Sequence, residues 1–165
     1  MVRSMSAQRN VPFDWALWLQ WVMATTLGWL LGEAILLNVA LFSVGLVIGV
    51  LQWVVLRRYI GQAGWWILAS ALGWAAGWGI VIAVAPLDIG VLTEPLLGAA
   101  MGMLQWLVLR RQLRQAGWWI VVSTLGWTVA LTGLADQLLA GAVAGAVTGI
   151  ALELLLRYPS LMKMQ

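Results

Sequence analysis

The sequence predicts an all-α membrane protein: six transmembrane helices arranged as three parallel two-helix repeats in a compact bundle. Three observations lead there. Of the 165 residues, 63% are hydrophobic and 9% charged, far from the roughly 45–50% apolar and 25% charged usage of soluble domains. Six apolar stretches approach the length of about 20 residues that a helix rising about 1.5 Å per residue needs to cross about 30 Å of hydrocarbon. A two-span segment also recurs along the chain.

Residues 1–13 carry Arg3 and Arg9 ahead of a long apolar run, as a secretory signal would. The run continues from Trp15 to Leu37 without a small-residue cleavage site and is read as a retained helix. The spans are Trp15–Leu37, Asn38–Leu56, Gly64–Ala85, Thr93–Leu109, Gly117–Leu134 and Asp136–Leu156. Helix breakers fall between them: Gly61 and Gly64 after the second, Pro86 and Pro95 around the third link, and Pro159 after the sixth. Thr93-Glu94-Pro95 reads as a helix start, with Thr as cap and Pro in the first turn.

With the spans drawn this way, Arg3, Arg9, Arg57, Arg58, Arg110, Arg111, Arg114, Arg157 and Lys163 all fall on one side. The opposite links hold Glu33, Asp88, Glu94 and Asp136 and no basic residue. An odd number of spans would scatter these charges, so the partition checks the count. By the positive-inside rule the basic side is cytoplasmic, which predicts a multi-pass bacterial inner-membrane protein with both termini inside. Histidine and cysteine are absent. That removes the commonest general bases, thiolate nucleophiles and metal ligands, so neither an enzyme nor a metal site is expected.

GAAMGMLQWLVLRR at 98–111 matches GLVIGVLQWVVLRR at 45–58, and QAGWWILASALGW at 62–74 matches QAGWWIVVSTLGW at 115–127. A weaker third copy combines WVMATTLGW at 21–29 with GAVTGIALELLLR at 145–157. The 165 residues therefore form one membrane domain with repeats at about 14–58, 62–111 and 115–157. Each unit crosses twice, so the units are parallel, with a natural symmetry axis along the membrane normal. Either a closed six-helix bundle with pseudo-threefold symmetry or a sequential helical array follows.

Three two-span repeats with both ends inside resemble the topology of mitochondrial carriers. The likeness stops there, because residues 15–37, 64–85 and 117–134 lack that family's proline followed by acidic and basic residues. Through LQWLVLRR and QAGWW…LGW, over residues 14–157, the chain resembles the uncharacterised tryptophan-rich repeat membrane proteins of phototrophic bacteria. That resemblance implies a photosynthetic-membrane setting and no particular activity.

Thirteen tryptophans need an account. Trp15, Trp18, Trp21, Trp53, Trp65, Trp66, Trp106, Trp118 and Trp119 lie near the basic boundary and are expected in an interfacial belt. Trp29, Trp74 and Trp127 stand about 12 Å deeper. They are expected to pack in the core, or to wall a site for a lipid tail, carotenoid or quinone. Gly45/Gly49, Gly98/Gly102 and the run Gly141, Gly145, Gly149 are helix-packing stripes, the run being also the best candidate for a partner or oligomer contact. Gln52, Gln105, Thr25, Ser70 and Ser123 are expected to bridge helices, back-bond to their own helix, or ring a cavity. Glu153 is expected to pair with Arg157 at i,i+4, or to form a proton or cation site. Arg57, Arg58, Arg110, Arg111 and Arg157 are expected to anchor helix ends or hold anionic lipid headgroups. Partners should be membrane lipids and other membrane subunits or further copies of the chain, with no nucleic acid. The favoured role is a non-catalytic accessory or scaffold subunit that binds lipid or pigment. The alternatives are a channel or transporter for a small neutral or lipophilic solute, or an oligomeric membrane effector.

Overall fold

A computed structural model describes residues 12–36, 42–87, 90–132 and 136–157. Among them lie six α-helices and no strand: α1 Trp15–Leu36, α2 Ser43–Leu56, α3 Trp65–Val84, α4 Thr93–Leu109, α5 Trp118–Leu131 and α6 Ala140–Arg157. Two segments, Trp65–Leu87 and Ala140–Arg157, are long and apolar enough to cross a membrane by length and hydropathy. The second and fifth expected spans are shorter than drawn. α2 starts at Ser43 rather than Asn38, which lies outside the described residues, and α5 stops at Leu131. Asp136 does not open α6 either, because a 3₁₀ turn over Gln137–Leu139 comes first. α4 does start at Thr93, but Leu92 holds the cap position without a side-chain capping bond. Apolar runs in sequence do not distinguish the last helical turn from an apolar connection, hence these offsets.

Each helix packs along its chain neighbours, and α6 packs against α1, so the six form a closed ring of alternating direction. A sequential array would leave α1 and α6 apart. The starts of α1, α3 and α5 and the ends of α2, α4 and α6 meet at one end, where Arg57, Arg58, Arg110, Arg111, Arg114 and Arg157 follow.

Glycine sets how closely these helices approach. A Cβ on Gly28 or Gly73 would fall 2.6 Å from the Ile48 Cα or 2.7 Å from the Met101 Cα. Between repeats, a Cβ on Gly45, Gly98 or Gly141 would fall 2.5 Å from the Ser70 carbonyl oxygen, 2.9 Å from the Ser123 carbonyl oxygen or 2.6 Å from the Trp29 Cβ. One turn along the same seams, a Cβ on Gly49 would fall 2.8 Å from the Ser70 Cβ, and one on Gly102 would fall 2.7 Å from the Ser123 Cβ. The Gly45/Gly49 and Gly98/Gly102 stripes therefore do pack helices, α2 on α3 and α4 on α5. Neither stripe is left for an outside partner. Such approach gains dispersion contact and does not need hydrophobic drive. Gly141, Gly145 and Gly149 all meet α1, at Trp29, Thr25 and Trp18 with Trp21. The run therefore packs helices, as expected, and the face that was also the candidate for a partner contact is taken up in closing the ring.

The outer surface carries Leu, Ile, Val and Met on every helix, including Leu19, Met23, Leu68, Leu107, Leu125 and Ile150. The interior holds tryptophans together with Thr25, Ser70, Gln52, Gln105, Ser123 and Thr148. The outside is thus covered by aliphatic side chains, while the hydrogen-bonding ones are turned inward among further aliphatic residues such as Ile48, Leu56 and Leu109.

Candidate functional site: a tryptophan-filled axis and its lateral grooves

Six tryptophans from the three odd-numbered helices fill the ring's axis in two layers. Near the basic end Trp21, Trp66 and Trp119 meet pairwise edge to face, with centroids 5.8, 5.9 and 5.5 Å apart. Two helical turns further on, Trp29, Trp74 and Trp127 form a second triangle at 5.9, 5.7 and 5.5 Å, with Trp74 edge to face against both others and Trp29 tilted at 46° to Trp127. These are favourable aromatic geometries, and each pair is worth about 0.5–1.5 kcal/mol beyond its buried area.

Indole N–H groups in a dry interior need acceptors, and the even-numbered helices supply them to the first layer. Trp66 Nε1 donates to Gln52 Oε1 at 3.0 Å and Trp119 Nε1 to Gln105 Oε1 at 2.9 Å. Each glutamine then donates onward across the ring, Gln52 to Thr25 Oγ1 and Gln105 to Ser70 Oγ, both at 2.9 Å. Thr25 donates back to the Trp21 carbonyl. In the third repeat Leu152 stands where glutamine would. Thr148, one turn earlier on α6, accepts from Trp21 Nε1 at 3.0 Å instead. The second layer lacks such acceptors at one point: Trp74 Nε1 is buried with no hydrogen-bond partner among the described residues, as is Trp78 Nε1 one turn on.

Trp21, Trp66 and Trp119 were expected in the interfacial belt; they are instead almost wholly buried at the axis. Height along a helix says nothing about which way a side chain points. The neighbouring tryptophans Trp15, Trp65 and Trp118 are the exposed ones, at 68%, 57% and 64%. Trp29, Trp74 and Trp127, expected either to pack in the core or to wall a hydrophobic ligand, are brought together with their rings against one another. Their mutual contacts occupy the axis where a passage or a planar guest would lie.

At the basic end the repeats differ in one instructive way. Arg57 lies over the Trp53 ring and Arg110 over the Trp106 ring, at 5.1 and 4.9 Å, both i,i+4 cation–π pairs. In the third repeat Glu153 replaces that tryptophan, and Arg157 Nε donates to its Oε1 at 3.0 Å while lying over Phe13. The Asp14 backbone N–H also donates to Glu153 Oε1 at 3.0 Å. Buried Glu153 therefore ties the approach to α1 onto α6, across the one helix seam that no connecting segment spans. Arg157, expected to anchor its helix end or hold a lipid headgroup, makes the i,i+4 pair with Glu153 that its spacing suggested. Glu153→Ala should cost about 1–3 kcal/mol by removing the acceptor of a buried ion pair and a backbone donor. Hydrogen exchange at Asp14 should rise in Glu153→Ala; an unchanged rate there would contradict the latch.

Arg58 and Arg111 are exposed and border two lateral cavities. One, about 290 Å³, lies between α1 and α2; the other, about 250 Å³, lies between α3 and α4. The rim of the second is braced by Gln112, which accepts from the Gly61 N–H at 2.9 Å and donates to the Gly61 carbonyl. Following Arg58 in the chain, the Tyr59 phenol is raised above its usual pKa by burial; the Asp14 carboxylate adds to that and Arg58 opposes it.

No family model, curated protein or solved structure matches the chain. Its chemistry rests on its own geometry: a bonded, filled axis and two open flanks that end in arginine.

Proposed function

We propose that this protein is a non-catalytic scaffold subunit of a bacterial inner-membrane complex. Six helices cross the bilayer, both termini are cytoplasmic, and lipid is held on the flanks. The observation that carries the reading is the inverted distribution of side chains, with aliphatic groups outward on all six helices and hydrogen-bonded glutamine, threonine and serine inward. Water would penalise that exterior, whereas hydrocarbon favours it. The shorter helices α2 and α5, at 14 residues each, are accommodated by local thinning and by flanking arginine and tryptophan. A scaffold is favoured over a channel because six indoles in mutual ring contact occupy the axis. The photosynthetic setting rests on the sequence resemblance alone, and pigment on the flanks would be its sign.

Fractionation followed by mild-detergent purification of the native protein tests this reading. The chain should stay with membranes through an alkaline wash and should elute with further membrane subunits and lipid. A chain that is released by the wash, or that runs alone without protein, lipid or pigment, overturns the proposal.

A further inference from the structure

The two lateral cavities are the same feature made twice. All eight residues lining the cavity between α1 and α2 have repeat counterparts lining the cavity between α3 and α4. The α1 positions shift by 45 residues, as Met23 to Leu68 and Ala24 to Ala69; the α2 positions shift by 53, as Val55 to Val108 and Arg58 to Arg111. Each has an aliphatic wall and one cation at its basic end.

We propose that these grooves are two equivalent sites for an anionic phospholipid, an acyl chain lying along each wall and the headgroup phosphate meeting Arg58 or Arg111. The proposal rests on the membrane reading above and adds the ligand class, the two positions and the stoichiometry.

Division of labour within each arginine pair supports it. Arg57 and Arg110 are committed to Trp53 and Trp106. Arg111 makes no hydrogen bond or ion pair among the described residues, and Arg58 reaches only Gln20 Oε1, at a long 3.5 Å. Each guanidinium thus keeps forked donors for a phosphate at the height where headgroups lie. The rim of the second groove is also shaped. Gln62, a lining residue, has a left-handed backbone with φ of 54°, which is uncommon for a side chain of this kind. Exposed Trp65 stands beside it, with its indole at headgroup level. A lone cation in each groove favours a net-anionic headgroup over a zwitterionic one. The third repeat carries Tyr158 at the arginine position, outside the described residues. Two sites, not three, follow from that substitution.

Native mass spectrometry of the full chain in mild detergent, exchanged against equal amounts of phosphatidylglycerol or phosphatidylcholine, tests this. Two phosphatidylglycerol molecules should be retained under conditions that strip phosphatidylcholine. Arg111→Gln and Arg58→Gln should each weaken retention of one molecule about fivefold, and the double variant should weaken retention of both by about that factor. Arg114→Gln removes equal charge from the same end without lining a groove, and it should retain both. Ala69→Leu, which fills the second groove from its floor, should displace one molecule with all arginines intact.

Equal retention of the two lipids, equal loss in Arg114→Gln and Arg111→Gln, or a stoichiometry unaffected by Arg58→Gln and Arg111→Gln overturns the inference. Thermal midpoints of the variants separate these results from misfolding, since both arginines are exposed. A chain that leaves membranes without detergent defeats the membrane reading itself. A membrane-bound, folded chain with no preference for phosphatidylglycerol defeats only the lipid sites.

Discussion

Gly45→Ala should weaken the bundle by about 3 kcal/mol, the upper part of the usual range for overpacking. The added methyl would fall 2.5 Å from the Ser70 carbonyl oxygen and 2.5 Å from the Trp74 Cβ, both fixed parts of α3. Neither can rotate away, so α2 and α3 must separate. That separation pulls apart the Gln52–Trp66 bond one to two turns along the same seam. Gly141→Ala should behave alike at the α6–α1 seam, where the new atom would lie 2.6 Å from the Trp29 Cβ. Gly79→Ala on α3 is the control, because nothing lies within 4 Å. It should be neutral or stabilising by up to about 1 kcal/mol, the helix-propensity difference. Denaturant titration in mixed micelles, followed by circular dichroism, reads all three. Equal effects for Gly45→Ala and Gly79→Ala would remove the close-approach argument.

Trp66→Ala should cost about 3–5 kcal/mol, the usual range for deleting a buried large aromatic. It opens a void on the axis, removes two aromatic contacts and leaves Gln52 Oε1 without its donor. The more discriminating comparison is Trp66→Phe against Trp74→Phe. Both lose about the same volume at the axis, but only the first breaks a hydrogen bond and strands a buried acceptor. Trp74→Phe removes a donor that had no partner among the described residues. Trp66→Phe should therefore be the costlier by about 1–3 kcal/mol, the penalty for a buried polar group left unsatisfied. If the two variants melt together, the inner glutamines contribute nothing measurable.

Helix count, the tripled unit and the clustering of arginines at one end were legible in the sequence because each rests on spacing along the chain. LQWVVLRR and LQWLVLRR fall 53 residues apart whatever the helices pack against. The radial direction was harder to read. Trp21 and Trp15 both lie near the basic end, yet Trp21 is buried and Trp15 is the most exposed tryptophan. Because both faces of these helices are apolar, amphipathicity gives no bearing. One signal was available: Trp21, Thr25, Gly28, Trp29 and Gly32 share a helical face, while Leu19, Met23, Leu27 and Leu31 share the opposite one. The face carrying small and hydrogen-bonding residues is the one that turned inward. The exchange of Gln for Leu152, with Thr148 taking over its indole, could not be foreseen. It depends on α6 meeting α1, a contact between the two ends of the chain.

That same contact sets an order of assembly. Five of the six seams join neighbours in sequence and can close as each helix follows the last, but the sixth joins Trp21 to Thr148, 127 residues later. Until α6 is made, the indole N–H of Trp21 lacks its Thr148 acceptor and the Asp14 N–H lacks Glu153, while the remaining helices stand as an open arc. Completion is therefore reported late and at one place. A chain cut short before α6 would display an unsatisfied, tryptophan-lined edge, which is the kind of surface that cellular quality control can read.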